Sequence, residues 1–201
     1  MNGLFQNSEY IGKKPLPLVP QCGACGLLHK CNTPKIPVYG KGKKKILLIS
    51  EMPGKIEDQK NKHYQGNSGT FLKDVLEQVG IYAERDCWLT YSIICRPPKG
   101  IIPSIKTLEW CRPNLINLID KLQPLSIVLM GSSPIDSIIK YLWKETIGAS
   151  SRWIGTKIPV KRFDAWLFPV WNPTFVIRSN DERFNNKVMN DMYVRHFERV
   201  S

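Results

Sequence analysis

The stretch Ile46-Leu47-Leu48-Ile49-Ser50 decides the fold class. Its four consecutive apolar residues follow a charged turn at 41–45, and such a short run is typical of a buried strand. Further strand patterns occur at 88–94, 126–130 and 166–170, and a helical pattern follows each of the four. Strands that alternate with helices indicate right-handed crossovers and a central parallel sheet. We therefore expect an α/β protein, a three-layer α/β/α sandwich with a four-stranded, mostly parallel sheet.

Apolar residues at helical spacing predict the four helices that cover this sheet. The first has its apolar face at 71–79 and ends at Gly80. The others are expected at about 104–122, around 135–142 and at about 181–199.

Residues 1–40 differ in composition from the rest of the chain. Five prolines, at positions 15, 17, 20, 34 and 37, favour irregular structure there. We expect an N-terminal Cys-rich arm over 1–40, which carries half of the ligands of a metal centre. Residues 41–201 are expected to form a single compact α/β domain.

The charge balance indicates a polyanionic partner. The 201 residues include 29 Lys and Arg against 17 Asp and Glu, a formal net charge of +12. A field of that strength attracts nucleic acid, single- or double-stranded, although excess Lys can also serve solubility alone. No apolar run approaches the roughly 18 residues of a membrane span, and the start lacks a secretory signal. We expect no membrane partner and an intracellular protein, cytoplasmic or nucleoid-associated.

The chain has six cysteines, Cys22, Cys25, Cys31, Cys87, Cys95 and Cys111. In a reducing compartment the pair Cys22-Gly-Ala-Cys25 is more often metal-binding than disulfide-bonded. A local completion of the site adds His29 and Cys31 and makes a small zinc knuckle. A long-range completion adds Cys95 and Cys111, and four thiolates suit a [4Fe–4S] cluster. Spacing alone leaves both open.

Three segments follow predicted strands and should converge at one edge of the sheet. They are 51–69, which we expect to be a polar loop, 91–98 and 171–178. In parallel sheets ligands bind beyond the carboxyl ends of the strands. The first segment carries Glu51 and Glu57, carboxylates in an otherwise basic chain.

Four segments, in this order, resemble the iron–sulfur branch (families 4 and 5) of the uracil-DNA glycosylase superfamily. They are Cys22 to Cys25; Ser50 to Asp58 with His63 to Gly66 and Ser68-Gly69; Cys95-Arg-Pro-Pro98 with Cys111; and Trp171 to Arg178. The resemblance covers roughly residues 20–178. It implies a [4Fe–4S] cluster on Cys22, Cys25, Cys95 and Cys111, with zinc as the alternative metal. Cys31 and Cys87 then become bystanders.

The resemblance also implies a reaction, hydrolysis of the N-glycosidic bond of uracil or another altered base after the base is flipped out of DNA. Glu51 would orient water or stabilise the sugar cation, with support from Glu57 and Asp58. Tyr64 would stack on the base, and Asn172 would contact it.

Two positions depart from the family pattern. Tyr91 stands where family 4 has an Asn that reads the uracil edge, although family 5 also lacks that Asn. Asn172 stands where the family has a His that donates to the departing base, and an amide cannot gain a proton. Each change could cost on the order of 100-fold in rate.

The same resemblance, together with the charge pattern, predicts a DNA-binding set. Phe175 is the candidate for a wedge that enters the vacated base position. The set consists of Gly66, Ser68, Lys161, Arg162, Pro173, Thr174, Phe175 and Arg178.

Two functions from different classes remain. The first is a DNA glycosylase. The second is a catalytically degenerate protein of the same fold. It would bind DNA as an accessory or processivity factor of a replication or transcription complex, including a viral one.

Overall fold

One five-stranded sheet lies at the centre of the computed structural model, which describes residues 22–99, 103–143, 148–179 and 186–200. The strands are β1 (Ile46–Ser50), β2 (Cys87–Tyr91), β3 (Ser126–Met130), β4 (Ile158–Val160) and β5 (Ala165–Val170). Their order is β2-β1-β3-β5-β4. All neighbouring pairs are parallel except β4 with β5, which is antiparallel. The mostly parallel sheet is therefore confirmed.

The predicted number of strands was one too low, because β4 was missed. This strand has only three residues, lies at the edge of the sheet and contains Pro159. A proline cannot donate to a strand ladder and is tolerated at sheet edges, so the segment shows no recognisable strand pattern.

Seven α-helices occur within the described residues. They are α1 (Lys55–Lys60), α2 (Asn67–Gln78), α3 (Ala83–Asp86), α4 (Ile105–Leu122), α5 (Ser132–Trp143), α6 (Pro173–Ser179) and α7 (Asn186–Glu198). None of the helices in this part of the chain is long and apolar enough to cross a membrane. The segment 51–69 is not a plain loop as expected, because it contains α1 and the start of α2. The first residues of the predicted last helix, 181–185, lie outside the described residues.

Alternate residues of β1 divide the apolar core into two layers. Ile46 and Leu48 belong to the cluster that includes buried side chains of α2, α6 and α7. Leu47 and Ile49 belong to the cluster that includes buried side chains of α4 and α5. The helices thus cover both faces of the sheet, and the three-layer prediction is confirmed.

The arm packs beside the end of β2, as far as it is described. Leu27 forms a third apolar cluster with Ile93, Ile94, Cys95 and Leu108. The backbone N–H of Ile36 donates to the Ile94 carbonyl at 2.9 Å. The arm therefore contacts the chain just after β2, at the edge where the carboxyl ends of the parallel strands lie. Its residues 1–21 lie outside the described residues.

Candidate functional site

Glu51 is held by the segments that follow β1, β3 and β5. Its Oε1 accepts from the Ser132 hydroxyl at 3.0 Å and from the Ser133 backbone N–H at 3.3 Å, at the start of α5. Its Oε2 accepts from Asn172 Nδ2 at 2.8 Å. The positive end of the α5 dipole favours a carboxylate at that position. Two sequence-distant segments thus hold the carboxylate that a third one carries.

Gly131, between β3 and α5, makes room for this carboxylate. Its φ is +98°, and a Cβ there would lie 2.8 Å from the Glu51 Cδ. Gly131 and the two serines were not among the predicted site residues. A Gly-Ser-Ser run directly after a buried strand is the signal that could have found them, because a helix N-terminus there presents donors to an anion.

Asn172 is oriented from its other side. Its Oδ1 accepts from the Thr174 backbone N–H at 2.8 Å, so its NH2 group faces Glu51. An amide nitrogen has two hydrogens, and Glu51 takes one of them. Asn172 therefore positions the carboxylate and retains one further donor.

Glu57 holds the turn that leads into α2. Its Oε1 accepts from the backbone N–H groups of Gln65 at 2.8 Å and Gly66 at 3.0 Å. The carboxylate is buried and also lines the cavity described below.

Tyr64 lies in the segment that this turn fixes, with a left-handed φ of +50°. Its hydroxyl shares a hydrogen bond of 2.9 Å with the Ser50 hydroxyl. Gly69 allows α2 to approach closely, because a Cβ there would collide with the Tyr64 backbone. Burial raises the pKa of Tyr64, so its hydroxyl stays protonated at neutral pH.

Tyr91 ends β2 and is part of a three-ring stack. The His63 ring lies between Tyr91, at 4.8 Å between centroids, and Tyr39, at 6.3 Å. His63 Nε2 donates to the Pro37 carbonyl at 2.7 Å, and burial lowers the pKa of this histidine, so the ring is neutral. The stack fixes the plane of Tyr91. His63 was not among the predicted site residues.

The Tyr91 hydroxyl is buried and has no hydrogen-bond partner among the described residues. Tyr91 is only 3% exposed, and burial raises the pKa of its hydroxyl. The group is therefore a neutral donor and acceptor. Tyr91 also lines the cavity described below.

A cavity of about 110 Å³ brings most of the predicted catalytic and base-binding residues together. It is lined by Ser50, Glu51, Met52, Gly54, Glu57, Tyr64, Ser68, Tyr91, Asn172, Pro173 and Thr174. Of the predicted catalytic and base-binding side chains, Asp58 alone is not among the lining residues.

A larger groove of about 670 Å³ shares Glu51 and Asn172 with this cavity. Cationic side chains line it, namely Lys55, Arg96, Lys99 and Arg178. Phe175, 46% exposed, stacks on Trp171 at 4.8 Å between centroids. The groove therefore combines positive charge with an exposed phenylalanine that stacks on a partly buried tryptophan, next to the cavity.

Asp58 faces the arm. Its carboxylate accepts from the backbone N–H groups of Asn32 at 3.1 Å and Thr33 at 2.9 Å, and Arg96 lies 3.8 Å away. The carboxylate is thus occupied in holding the arm, and we assign it no part in the cavity.

Lys161 and Arg162 do not lie with the groove. They occupy the turn between β4 and β5, at the amino end of β5, whereas the groove lies at its carboxyl end. A six-residue strand separates the two by roughly 20 Å. Arg162 also makes a bidentate ion pair with Asp120, both N–O distances being 2.8 Å. Sequence proximity to Trp171 and Arg178 had placed them in one DNA-binding set; the structure separates them from the groove, and DNA binding by these two residues stays a prediction.

Four cysteines meet at a second, apolar cavity. Cys22, Cys25, Cys95 and Cys111 line it together with Leu27, Leu28, Ile93, Ile94 and neighbouring residues. Burial raises the pKa of Cys111 to about 12. Cys31, which had been set aside as a bystander, packs in the same cluster as Cys95, and the interaction of the two thiols raises the pKa of Cys95 and lowers that of Cys31.

The thiols are not arranged around a single ion. No group of three or more His, Cys, Asp or Glu side chains within the described ranges could hold a metal ion. Ligands of one zinc must converge on a point, whereas those of a cluster surround a larger body of iron and sulfide.

Comparison with known proteins identifies the family. The model of the uracil DNA glycosylase superfamily matches residues 37–196. The chain belongs to this superfamily. The match includes the Glu51 segment, the strand that ends at Tyr91 and the loop at Asn172, which together form the smaller cavity.

Three relatives illustrate the range of similarity within and around this superfamily. The chain is 32% identical over 113 residues to a Type-4 uracil-DNA glycosylase of Archaeoglobus fulgidus, and this stretch spans 56% of each protein. It is 26% identical over 180 residues, 87% of each chain, to that of Thermotoga maritima. It is also 26% identical over 144 residues, 71% of this chain, to 15% of a DNA polymerase of Bacillus phage SP01. The chain thus spans little more than half the length of the first of these relatives.

Proposed function

We propose that this protein is a DNA glycosylase that hydrolyses the N-glycosidic bond of uracil or a related altered base. The observation that carries the proposal is the Glu51 carboxylate, fixed by Ser132, Ser133 and Asn172 at the edge of the smaller cavity. The similarity to Type-4 uracil-DNA glycosylases supports the same reaction class.

The reaction needs charge stabilisation at two places. As the bond breaks, the sugar gains positive charge and the base gains negative charge. Glu51 stabilises the cation and orients the attacking water, and its three hydrogen bonds keep it in place before the reaction begins. The remaining Asn172 hydrogen is available to a carbonyl oxygen of the departing base.

The base occupies the cavity beside Tyr64 and Tyr91. Flipping delivers the base out of the stack, and Tyr64 provides the aromatic surface against which it packs. The unpaired Tyr91 hydroxyl meets the base edge, where it donates to a carbonyl or accepts from a ring N–H. The Tyr91 hydroxyl stands where family 4 has the amide of an Asn, and this difference alters which bases the cavity accepts.

The larger groove binds the DNA. Lys55, Arg96, Lys99 and Arg178 contact phosphates, which makes the affinity depend on salt. Phe175 is placed to fill the position that the flipped base leaves. Gly66, Ser68, Pro173 and Thr174 belong to the two segments that flank the entrance. DNA, single- or double-stranded, is thus the proposed partner.

We further propose that Cys22, Cys25, Cys95 and Cys111 hold a [4Fe–4S] cluster. An all-thiolate donor set suits such a cluster, and the buried ammonium of Lys35, unpaired among the described residues, suits an anionic centre. Zinc is the alternative metal. When bound, the group would cross-link the arm to the segment after β2.

The second candidate is a DNA-binding accessory subunit of a replication or transcription complex. It is favoured by the similarity to part of a phage DNA polymerase and by the two family departures, Tyr91 and Asn172. In that role the groove and the arm are used, and the cavity is not.

A single-turnover excision assay separates the two functions. Wild-type protein is mixed with single- and double-stranded DNA that contains uracil, and abasic sites are counted. We expect Glu51→Gln to lower the rate on the order of 100-fold or more, because the cation loses its counter-charge. Glu77→Gln is the matched control, since Glu77 is an exposed carboxylate of α2.

Two results would contradict the glycosylase. One is wild-type protein that binds the DNA in a salt-sensitive manner but forms no abasic sites; this result supports the accessory role. The other is Glu51→Gln protein that excises uracil as fast as the Glu77→Gln control, which removes Glu51 from the mechanism.

A further inference from the structure

Lys35 is a buried lysine whose ammonium group has no partner among the described residues. The residue is only 6% exposed, and its Nζ has no hydrogen-bond partner among the described residues. Lysine is almost never buried unless its charge is paired, because removing an ammonium from water is costly. The position of Lys35 therefore calls for an anion that the side chains of the described residues do not supply.

The backbone places Lys35 against the four-cysteine cavity. Its N–H donates to Cys95 Sγ at 3.3 Å, and the next residue, Ile36, is hydrogen-bonded to the carbonyl of Ile94. Lys35 has a left-handed φ of +55°, which the surrounding contacts must hold in a non-glycine residue. Burial lowers the pKa of its ammonium, and the neighbouring Cys22 and Cys95 side chains oppose this shift. It thus lies beside ligands from both halves of the cysteine set.

A tetrathiolate centre has excess negative charge. Four thiolates carry four negative charges, more than one divalent zinc ion or an oxidised cluster core neutralises. In an apolar cavity this excess is poorly screened, and a nearby ammonium offsets it. The ammonium and the anionic centre thereby offset each other's free-energy cost of burial.

We propose that Lys35 is the buried counter-cation of the metal centre held by Cys22, Cys25, Cys95 and Cys111. Its charge retains the bound metal and, in an iron–sulfur cluster, raises the reduction potential. This inference rests on the proposed cofactor. Lys35 is a positioning residue for the centre, and it lines neither the smaller cavity nor the larger groove.

The test uses three variants of the full chain, purified without oxygen. Lys35→Met removes the charge and keeps the length of the side chain, and Lys35→Arg keeps the charge. Lys30→Met removes an exposed charge from the same arm and is the control. Iron, sulfide and zinc are measured in each protein to identify the metal. Loss of the metal to a chelator is then followed by absorbance or by metal release.

We expect Lys35→Met to lose its metal 10- to 100-fold faster than wild type, the usual effect of removing a group around the ligands. An iron–sulfur centre should also show a more negative reduction potential in this variant. Lys35→Arg should retain its metal better than Lys35→Met, and Lys30→Met should match wild type.

Thermal unfolding of the metal-free proteins distinguishes charge from packing. Without the anionic centre, the Lys35 ammonium is an unpaired buried charge, so Lys35→Met should unfold at a higher temperature than wild type. A merely structural lysine would give a lower unfolding temperature in both the metal-free and the metal-bound protein, and that result would overturn the proposal. Metal retention and potential equal to wild type in Lys35→Met would also overturn it.

Wild-type protein that holds neither iron–sulfide nor zinc would overturn the cofactor and with it the role of Lys35. The excision assay is read separately, so a working glycosylase without metal would identify this failure as one of the cofactor alone.

Discussion

Gly131→Ala tests whether the exact position of the Glu51 carboxylate determines the rate. A Cβ at residue 131 would lie 2.8 Å from both the Cδ and the Oε1 of Glu51, where ordinary contacts are 3.4–4 Å. The carboxylate must therefore withdraw by roughly half an ångström and loosen its bonds to Ser132 and Asn172. A displacement of about 1 Å can cost on the order of 100-fold in rate. We expect a loss of about 10- to 100-fold in single-turnover excision, with DNA affinity unchanged.

The control for this variant is Gly80→Ala. Gly80 also has a positive φ, +71°, but a Cβ there would have no neighbour within 4 Å. Both variants should lose about 1–3 kcal/mol of stability from backbone strain. The two proteins are compared by thermal unfolding, DNA binding and excision rate. If Gly131→Ala excises uracil as fast as Gly80→Ala, a fixed Glu51 carboxylate is not what catalysis requires.

Two further variants test the cavity and the groove. Tyr91→Asn should raise the excision rate on uracil at least tenfold, because an amide both donates to and accepts from the uracil edge. Rates that stay unchanged on uracil and on a panel of modified bases would remove Tyr91 from base recognition. Arg178→Ala should weaken DNA binding and lower the salt dependence by about one phosphate contact, whereas Arg162→Ala, at the opposite end of the sheet, should leave both unchanged. Equal effects of the two arginine variants in a salt titration would contradict the placement of DNA in the groove.

The sequence could predict the parallel sheet because β1, β3 and β5 are short apolar runs with helical patterns between them. It could not predict β4, whose three residues acquire strand geometry only by pairing with β5. Tertiary pairing of this kind overrides local propensity. The short helix α1 was missed for a similar reason, since its two buried carboxylates, Glu57 and Asp58, give it no apolar face.

The candidate site was predictable where the motif residues themselves line the cavity, as Glu51, Tyr64 and Tyr91 do. It was not predictable where one polar group acts on another across more than a hundred residues, as Asn172 acts on Glu51. Charge alone also could not place Arg162, because its ion pair with Asp120 depends on how the turn packs against α4. The spacing of motif residues indicates which residues are candidates for the site, and the fold determines which of them lie together.

Helix α1 connects the N-terminal arm to the segment that carries Tyr64. Two successive residues of this six-residue helix bind different segments. Glu57 holds the turn before α2, and Asp58 holds the arm at Asn32 and Thr33. The sheet is not part of this connection. A disturbance that starts at the cysteines therefore has a short route, through a single helical turn, to the segment that carries Tyr64. The shape of the smaller cavity therefore depends on the arm, and it can change while the sheet remains intact.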